Sequence, residues 1–396
     1  MKKLLVLISF IAFSILFVNA QSPGWTEQNP LHRGNGLVSV YFTDSITGYT
    51  VGDNGIILKT IDGGTNWNIQ TSGTSNDLLS VYFTNRNIGY AVGANGTIIK
   101  TINGGANWTK LPGSQSFNSI YFIDSITGFG VEYNGSIFKT IDGGTTWTLQ
   151  SSGIKSDLYS VCFVDAITGY AVGDSGTILK TINGGINWTI QTSGTKRLLT
   201  SVYFTDANTG YVVGDTGTVL KTINGGNIWM TLTSGTDKIF SSVFFPDANT
   251  GYAVGSYGII LKTINAGINW STNYTAYGWL SSVYFTDVNT GYTVGNNGII
   301  LKTTTGGATS IGNSIPKNDI KLEIFPNPND GIFTLEFANP NKKLFQVSII
   351  ELTGNTIYEI TSNQEKVEFK SKELPAGVYV VKVLGDKVYY GKMVVK

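Results

Sequence analysis

The sequence predicts an all-β chain: a seven-bladed β-propeller closed by an N-terminal strand, followed by a small Ig-like β-sandwich. Three observations predict it. Phrases of the type "SVYF" begin at Ser39, Ser80, Ser119, Ser160, Ser201, Ser242 and Ser282, a period of about 41 residues, the length of a propeller blade. Each unit carries four short strand signals between turn signals. In the fourth they are "YSVCFV", "GYAVG", "TILKT" and "NWTIQ", separated by "DAIT", "DSG" and "INGG". The third observation is a deficit matched by a surplus. The phrase "KTIDGGTNW" ends at Trp67 and its sisters end at Trp108, Trp147, Trp188, Trp229 and Trp270, but the seventh copy, "TTTGGATSIGNS", has no tryptophan. Trp25, in "GWTEQNP" ahead of the first repeat, resembles the start of a fourth strand, "NWNIQTSG" at Asn66–Gly73. The N-terminal segment is therefore expected to pair with the seventh repeat and remove the open edge.

In chain order, the first segment is "MKKLLVLISFIAFSILFVNA". Two lysines precede an apolar run that ends in Val18-Asn19-Ala20, the pattern of a secretory signal peptide cut before Gln21. No other apolar run is long enough to span a membrane. The expected organisation is a signal peptide at 1–20, a propeller at 21–308, a linker at 309–319 and a C-terminal domain at 320–396.

Within the propeller the strands are apolar on both faces, as in "GTILKT" and "SVYFT". That fits blades covered by a neighbour on each side. The chain holds 49 glycines against 9 prolines. The glycines recur at fixed positions and so mark turns. Gly55, Gly96, Gly135, Gly176, Gly217, Gly258 and Gly298 follow the second strand without exception, as expected where a turn needs φ > 0. Gly52, Gly93, Gly173, Gly214, Gly255 and Gly295 end that strand, and the third repeat replaces this glycine with Glu132. Seven lysines, Lys59, Lys100, Lys139, Lys180, Lys221, Lys262 and Lys302, share one position. They are expected to run along apolar surface with the ammonium in solvent. Cys162 takes the place of Tyr41, Tyr82 and Tyr203 in sister repeats and reads as a buried filler.

Charge excludes several classes of partner. Charged residues are 13% of the chain and the net charge is +1, so nucleic acid and acidic membrane surfaces are not expected. His32 is the sole histidine, which excludes a His-based triad or a multi-His metal site within the chain. No cofactor or metal is expected.

"TIDGGTNW" places a hydroxyl, then Asp, Gly and an aromatic at Thr60, Asp62, Gly64 and Trp67. It resembles the Asp-box of bacterial neuraminidase repeats, which implies the turn between the third and fourth strands of a blade. The acidic position is Asp62, Asn103, Asp142, Asn183, Asn224 and Asn265. Asp and Asn are interchangeable as turn caps but not as general acids or charged metal ligands, so this position is structural. The wider pattern "G-Y-x-V-G-x-x-G-x-I-x-K-T-x-D/N-G-G-x-x-W" resembles the photosystem II stability/assembly factor family of seven-bladed propellers across residues 25–308. That family is associated with an arginine patch, whereas this propeller has only Arg33, Arg86 and Arg197. Photosystem assembly and sialidase activity, which needs an arginine cluster, are therefore not implied.

The tail departs from the period. It opens with "LEIFPNPNDGIFTLEF" and contains "LPAGVYVVKV" and "GKMVVK", whose alternation reads as antiparallel strands. Pro326, Asn327, Pro328, Gly331, Gly377, Tyr379 and Lys392 carry a resemblance to the type A C-terminal sorting domain of type IX secretion cargo. The resemblance implies a Bacteroidota-type source and engagement of the type IX machinery. It also implies passage through the periplasm to the medium or the outer cell surface.

These readings favour a secreted, monomeric, non-catalytic binding or scaffold propeller for a glycan or protein. The alternative is a secreted glycoside hydrolase-like enzyme related to Asp-box propellers. No catalytic residues are assigned. A ligand is expected on the face opposite the Asp-boxes, where lead-in loops meet the turns between second and third strands. The candidates there are Glu132, Tyr133, Asp174, Asp215, Tyr257 and Trp279, with Phe117, Tyr159, Lys238 and Phe240 on the lead-in loops.

Overall fold

The computed structural model describes residues 24–28, 34–276, 278–307, 322–336, 342–351, 356–370, 374–384 and 388–396. The signal peptide, His32, Arg33 and the linker lie outside the described residues. The chain divides into two compact units, Met1–Ile311 and Gly312–Lys396.

The first unit holds seven four-stranded antiparallel sheets. Blade 1 runs Leu37–Phe42, Gly48–Gly52, Ile57–Thr60 and Asn68–Gln70, and the next five repeat it. The second strand is buried at every position in each blade, as in "GYAVG" at Gly89–Gly93, whereas the outer strands are exposed. In the seventh blade the sheet order runs from Leu280–Phe285 through Gly291–Gly295 and Ile300–Thr303 to Thr26–Glu27. Thr26 pairs with Lys302 and Glu27 with Leu301.

One aromatic unit is repeated around the ring. An inner-strand phenylalanine stacks at 3.8–4.2 Å on an aromatic of the preceding blade, for example Phe83 on Tyr49 and Phe42 on Tyr292. The blade's own tryptophan meets that phenylalanine edge-on, with centroids 5.9–6.1 Å apart. This explains the glycine before each "Y-x-V". A Cβ at Gly48 or Gly89 would meet the Phe42 or Phe83 ring at 2.5 or 2.4 Å, so no other residue leaves room for the stack.

Hydrogen bonds tie each blade to the next. Ser39 Oγ accepts from Val81 N–H, Ser80 Oγ from Ile120 N–H, and so on until Ser282 Oγ accepts from Val40 N–H. The seven lysines do the same on the Asp-box face, which corrects the expectation of solvated ammonium groups. Lys59 Nζ donates to Gly104 O of the following blade at 2.7 Å, and Lys302 Nζ to Gly63 O at 2.6 Å. Tyr49 and Tyr292 hydroxyls donate to the same two carbonyls, each at 2.8 Å. Burial holds Lys59, Lys100, Lys221 and Lys262 below the usual ammonium value.

Inner-strand aromatics line up in a collar. Tyr41, Tyr82 and Tyr121 are neighbours, as are Tyr203, Phe244, Tyr284 and Tyr41, with centroids 4.9–5.3 Å apart. Cys162 holds the corresponding strand position, paired with Tyr170. It is half-buried, and burial pushes its thiol up to about 12, so the thiolate needed for nucleophilic chemistry does not form at neutral pH.

The second unit contains a three-stranded sheet, Glu323–Phe325, Ile332–Glu336 and Lys366–Lys370, and a four-stranded sheet in the order Thr356–Ser362, Phe345–Glu351, Gly377–Leu384, Val388–Val395. Phe333, Leu335, Val347, Ile349, Phe369, Val381, Val383 and Met393 form its core. The "PNPN" turn clasps the last strand. Asn327 Oδ1 accepts from Val394 N–H at 2.9 Å, Asn329 N–H donates to Val394 O at 2.9 Å, and Lys396 N–H donates to Asn329 O at 2.8 Å. Pro326 and Pro328 are exposed on that turn. Gly331 N–H donates to Asn329 Oδ1, and the Gly331 φ is +91°. Tyr379 Oη donates to Pro375 O, Gly377 pairs with Val395, and Lys392 pairs with Val380.

Candidate functional site

The two propeller faces differ in chemistry. On one, each Asp-box turn bonds the turn between the first and second strands, as in Gly63 N–H to Ile46 O. Thr60 Oγ1 donates to Asp62 Oδ1, and Asn66 N–H donates to the same oxygen. Asn103 accepts in the same way from Thr101 Oγ1 and Asn107 N–H, and Asp142, Asn183, Asn224 and Asn265 follow. One acceptor oxygen is common to all six turns, and the second oxygen of Asp62 and Asp142 accepts from Asn66 Nδ2 and Thr146 Oγ1. The Thr146 hydroxyl and N–H, with Thr140, hold Asp142 down to about 2.

On the other face, the turn after each second strand rests on its lead-in loop. Asp53 N–H donates to Gly36 O, and Asn296 N–H to Trp279 O. The central residue of this turn has positive φ in every blade: Asn54, Asn95, Asn134, Ser175, Thr216, Tyr257 and Asn297, at 52–58°. Asn tolerates that region, whereas the β-branched Thr216 and the bulky Tyr257 hold it only with strain. The following glycines, Gly55 to Gly298, also have positive φ, at 65–72°.

The predicted residues fall into two groups on this face. Glu132, Tyr133 and Asp174 gather at blades 3 and 4. In other blades a Cβ at the Glu132 position would strike the lead-in carbonyl, 1.9 Å away at Gly52. In blade 3 the ladder stops at Ser119–Val131, without the further pair beyond a bulge, such as Leu78–Gly93 and Leu158–Gly173 in its neighbours, that sets the lead-in strand against this position. The Glu132 carboxylate then accepts Ser116 N–H at 2.9 Å, and burial raises its pKa. Tyr133 meets Tyr159 edge-on with centroids 6.5 Å apart. Burial, then the Asp174 and Asp157 carboxylates, push the Tyr159 hydroxyl up to about 12.

Asp215, Tyr257 and Trp279 gather at blades 5 to 7. They line an open depression of about 640 Å³ with Asp237, Lys238, Ile239, Ser256, Gly278 and Asn296. Tyr257 is 74% exposed with φ +56°. Lys238 Nζ lies 4.5 Å from its ring centroid and 3.5 Å from Asp237 Oδ1. Trp279 is half-buried and donates from Nε1 to Ser241 Oγ at 2.6 Å. Asp215 Oδ1 accepts Thr216 N–H. Phe117 and Phe240 do not belong to this face's rim: both are fully buried, and Phe117 fills the space left by Gly130. Sequence reasoning missed Asp237, Ser241 and Asn296. Asp237 adjoins the predicted Lys238, and closer attention to that loop could have found it. Arg197 is engaged elsewhere, donating to Thr216 O at 2.7 Å. Among the described residues no group of three or more His, Cys, Asp or Glu could hold a metal ion. No helix among them is long and apolar enough to cross a membrane.

Comparisons place this geometry among known proteins. No curated protein matches the chain. Among solved structures, "YCF48 bound to D1 peptide" is 19% identical with a TM-score of 0.60, covering 73% of this chain and 96% of that one. YCF48 from Cyanidioschyzon merolae is 19% identical with a TM-score of 0.59, covering 71% and 98%. The WD40 β-propeller domain of Doa1 is 11% identical with a TM-score of 0.59, covering 71% and 96%. Residues 323–396 match the secretion system C-terminal sorting domain, which indicates export by type IX secretion to the cell surface or outside. The photosynthesis system II assembly factor YCF48 model matches residues 18–117, 150–233 and 185–275. With more than half of its length so matched, the chain belongs to the YCF48 family of β-propellers and carries a type IX secretion sorting tail.

Proposed function

We propose that this exported propeller is a monomeric, non-catalytic binding module whose ligand, a glycan or a protein, docks on the depression lined by Asp215, Tyr257 and Trp279. The observation that carries the reading is Tyr257. Six sister turns use Asn, Ser or Thr at positive φ, and blade 6 alone holds a large aromatic there, exposed and touched by Lys238. Strained, exposed aromatics gain little for the fold and mark places where a surface is used. Trp279 reaches the same depression from an independent loop. The relative solved with a bound D1 peptide supports the use of this fold for binding. The Glu132, Tyr133 and Asp174 group is a secondary contact area, since the Glu132 carboxylate already caps Ser116.

The test compares Trp279→Ala with the unaltered chain in pull-downs from culture medium and on a glycan array. The reading expects retained melting temperature and loss of captured material by about 2 kcal/mol or more, the scale of an interface hot spot. Equal capture by both proteins overturns it.

A further inference from the structure

The depression at blades 5 to 7 also limits the chemistry of its occupant. Nine residues line it and its volume is about 640 Å³. A stable protein interface uses roughly 20–30 residues a side, whereas small-ligand clefts hold roughly 300–1,000 Å³. The occupant is therefore a small or narrow molecule, not a folded partner's flat surface.

The charges form no cluster of one sign for ionic recognition. Asp237 pairs with Lys238 at 3.5 Å, and Lys238 also covers the Tyr257 ring. An anionic ligand meets one already paired ammonium and no arginine, since Arg197 is bound to Thr216 O. A cationic ligand meets the single Asp215 carboxylate, since Asp237 is already paired with Lys238. The depression presents turns rather than a free sheet edge, so a peptide cannot dock there by adding a strand. What remains suits many hydroxyls: carboxylate oxygens of Asp215 and Asp237, the Asn296 amide and the Lys238 ammonium, set around an indole. Seven tryptophans of the propeller each pack edge-on against a phenylalanine. Trp279 has no ring partner among the described residues, and its N–H is anchored to Ser241 Oγ. Trp279 lines the depression, and an indole supplies a flat apolar surface with one polar edge.

We infer that the depression binds a neutral oligosaccharide, one pyranose face lying on Trp279 and its hydroxyls bridging Asp215, Asp237 and Asn296. This rests on the reading of the depression as the binding site.

The experiment titrates the full secreted chain, by calorimetry, with three probe sets. They are neutral gluco- and manno-oligosaccharides of four to six units, uronate-containing oligosaccharides, and a random peptide library. Trp279→Ala, Trp279→Phe and Asn296→Ala are run in parallel, with melting curves for each. The inference expects binding of a neutral set, at least tenfold weaker in Trp279→Ala and Asn296→Ala and largely kept in Trp279→Phe, at unchanged melting. Binding of peptide or uronate only, lost in Trp279→Ala, overturns the sugar assignment and leaves the site standing. Neutral-sugar binding untouched by all three substitutions overturns both. No binding by any probe overturns the sugar assignment.

Discussion

Trp25 and Phe285, from opposite ends of the propeller sequence, meet edge-on with ring centroids 6.0 Å apart and an interplanar angle of 90°. Phe42 and Trp67, neighbours in one repeat, meet at 5.9 Å and 88°. The N-terminal indole thus occupies the slot that each repeat fills from its own chain. It is fully buried, and its Nε1 donates to Asn273 Oδ1 at 2.8 Å.

Trp25→Ala therefore leaves a cavity in the seventh blade and removes the donor to Asn273 Oδ1. The expected cost is about 3–5 kcal/mol, and deletion of residues 21–31 costs at least as much. Chemical unfolding monitored by circular dichroism checks both. Unchanged unfolding midpoints would show that the N-terminal strand does not hold the ring.

Alkaline pH tests the shared carbonyls. Burial pushes Tyr49, Tyr90, Tyr170, Tyr211 and Tyr292 up to about 12 from an ordinary value near 10. The folded state thus holds these protons more tightly than the unfolded one. The stability they contribute is complete below pH 10 and is lost as pH rises through about 12. The lysines lowered by burial act in the opposite sense, and the tyrosines outnumber them. Melting temperature should fall steeply between pH 10 and 12, and a Tyr49→Phe, Tyr292→Phe double variant should show a shallower fall. A flat profile across that window refutes the account.

Tyr257→Asn should stabilise the protein by about 0.5–1 kcal/mol, because asparagine tolerates positive φ and serves in four sister turns. The same substitution should weaken ligand capture. Lower stability together with undiminished capture would show that the ring contributes to the fold and not to binding.

The sorting tail gives a prediction in cells. Because Asn327 and Asn329 hold the backbone of Val394 and Lys396, removal of residues 392–396 opens the "PNPN" turn as well as the last strand. The truncated protein should fold its propeller normally and accumulate in the periplasm. Cell fractionation with an antibody to the propeller decides it: full recovery in the medium or at the surface rules the tail out as the export signal.

Repetition made the fold legible. Seven copies of one phrase average out local noise, and a single absent tryptophan identified Trp25 as its substitute before any geometry was known. The same repetition concealed the lysines. Their acceptors, such as Gly104 for Lys59, lie in the next blade, and one repeat read alone shows only a cation at a strand end. Phe117 and Phe240 were misread as loop residues, although they stand two positions before the repeated serine, where the sister repeats carry Leu37, Leu78, Leu158, Leu199 and Leu280, all of them buried. The candidate residues were found singly, but their division into two groups follows from angular position around the ring, which sequence order records only as blade number.

The strand at Thr26–Glu27 also sets a condition on biosynthesis. It is the first propeller strand in the chain, and its partner, Ile300–Thr303, is the last. The loop between them spans the whole ring, so their pairing carries the full entropic cost of closing it and gains nothing until every repeat is in place. A chain stopped at any earlier blade keeps a bare sheet edge and leaves Trp25 without Phe285 to pack against. Only a chain delivered through its seventh repeat can therefore close the ring.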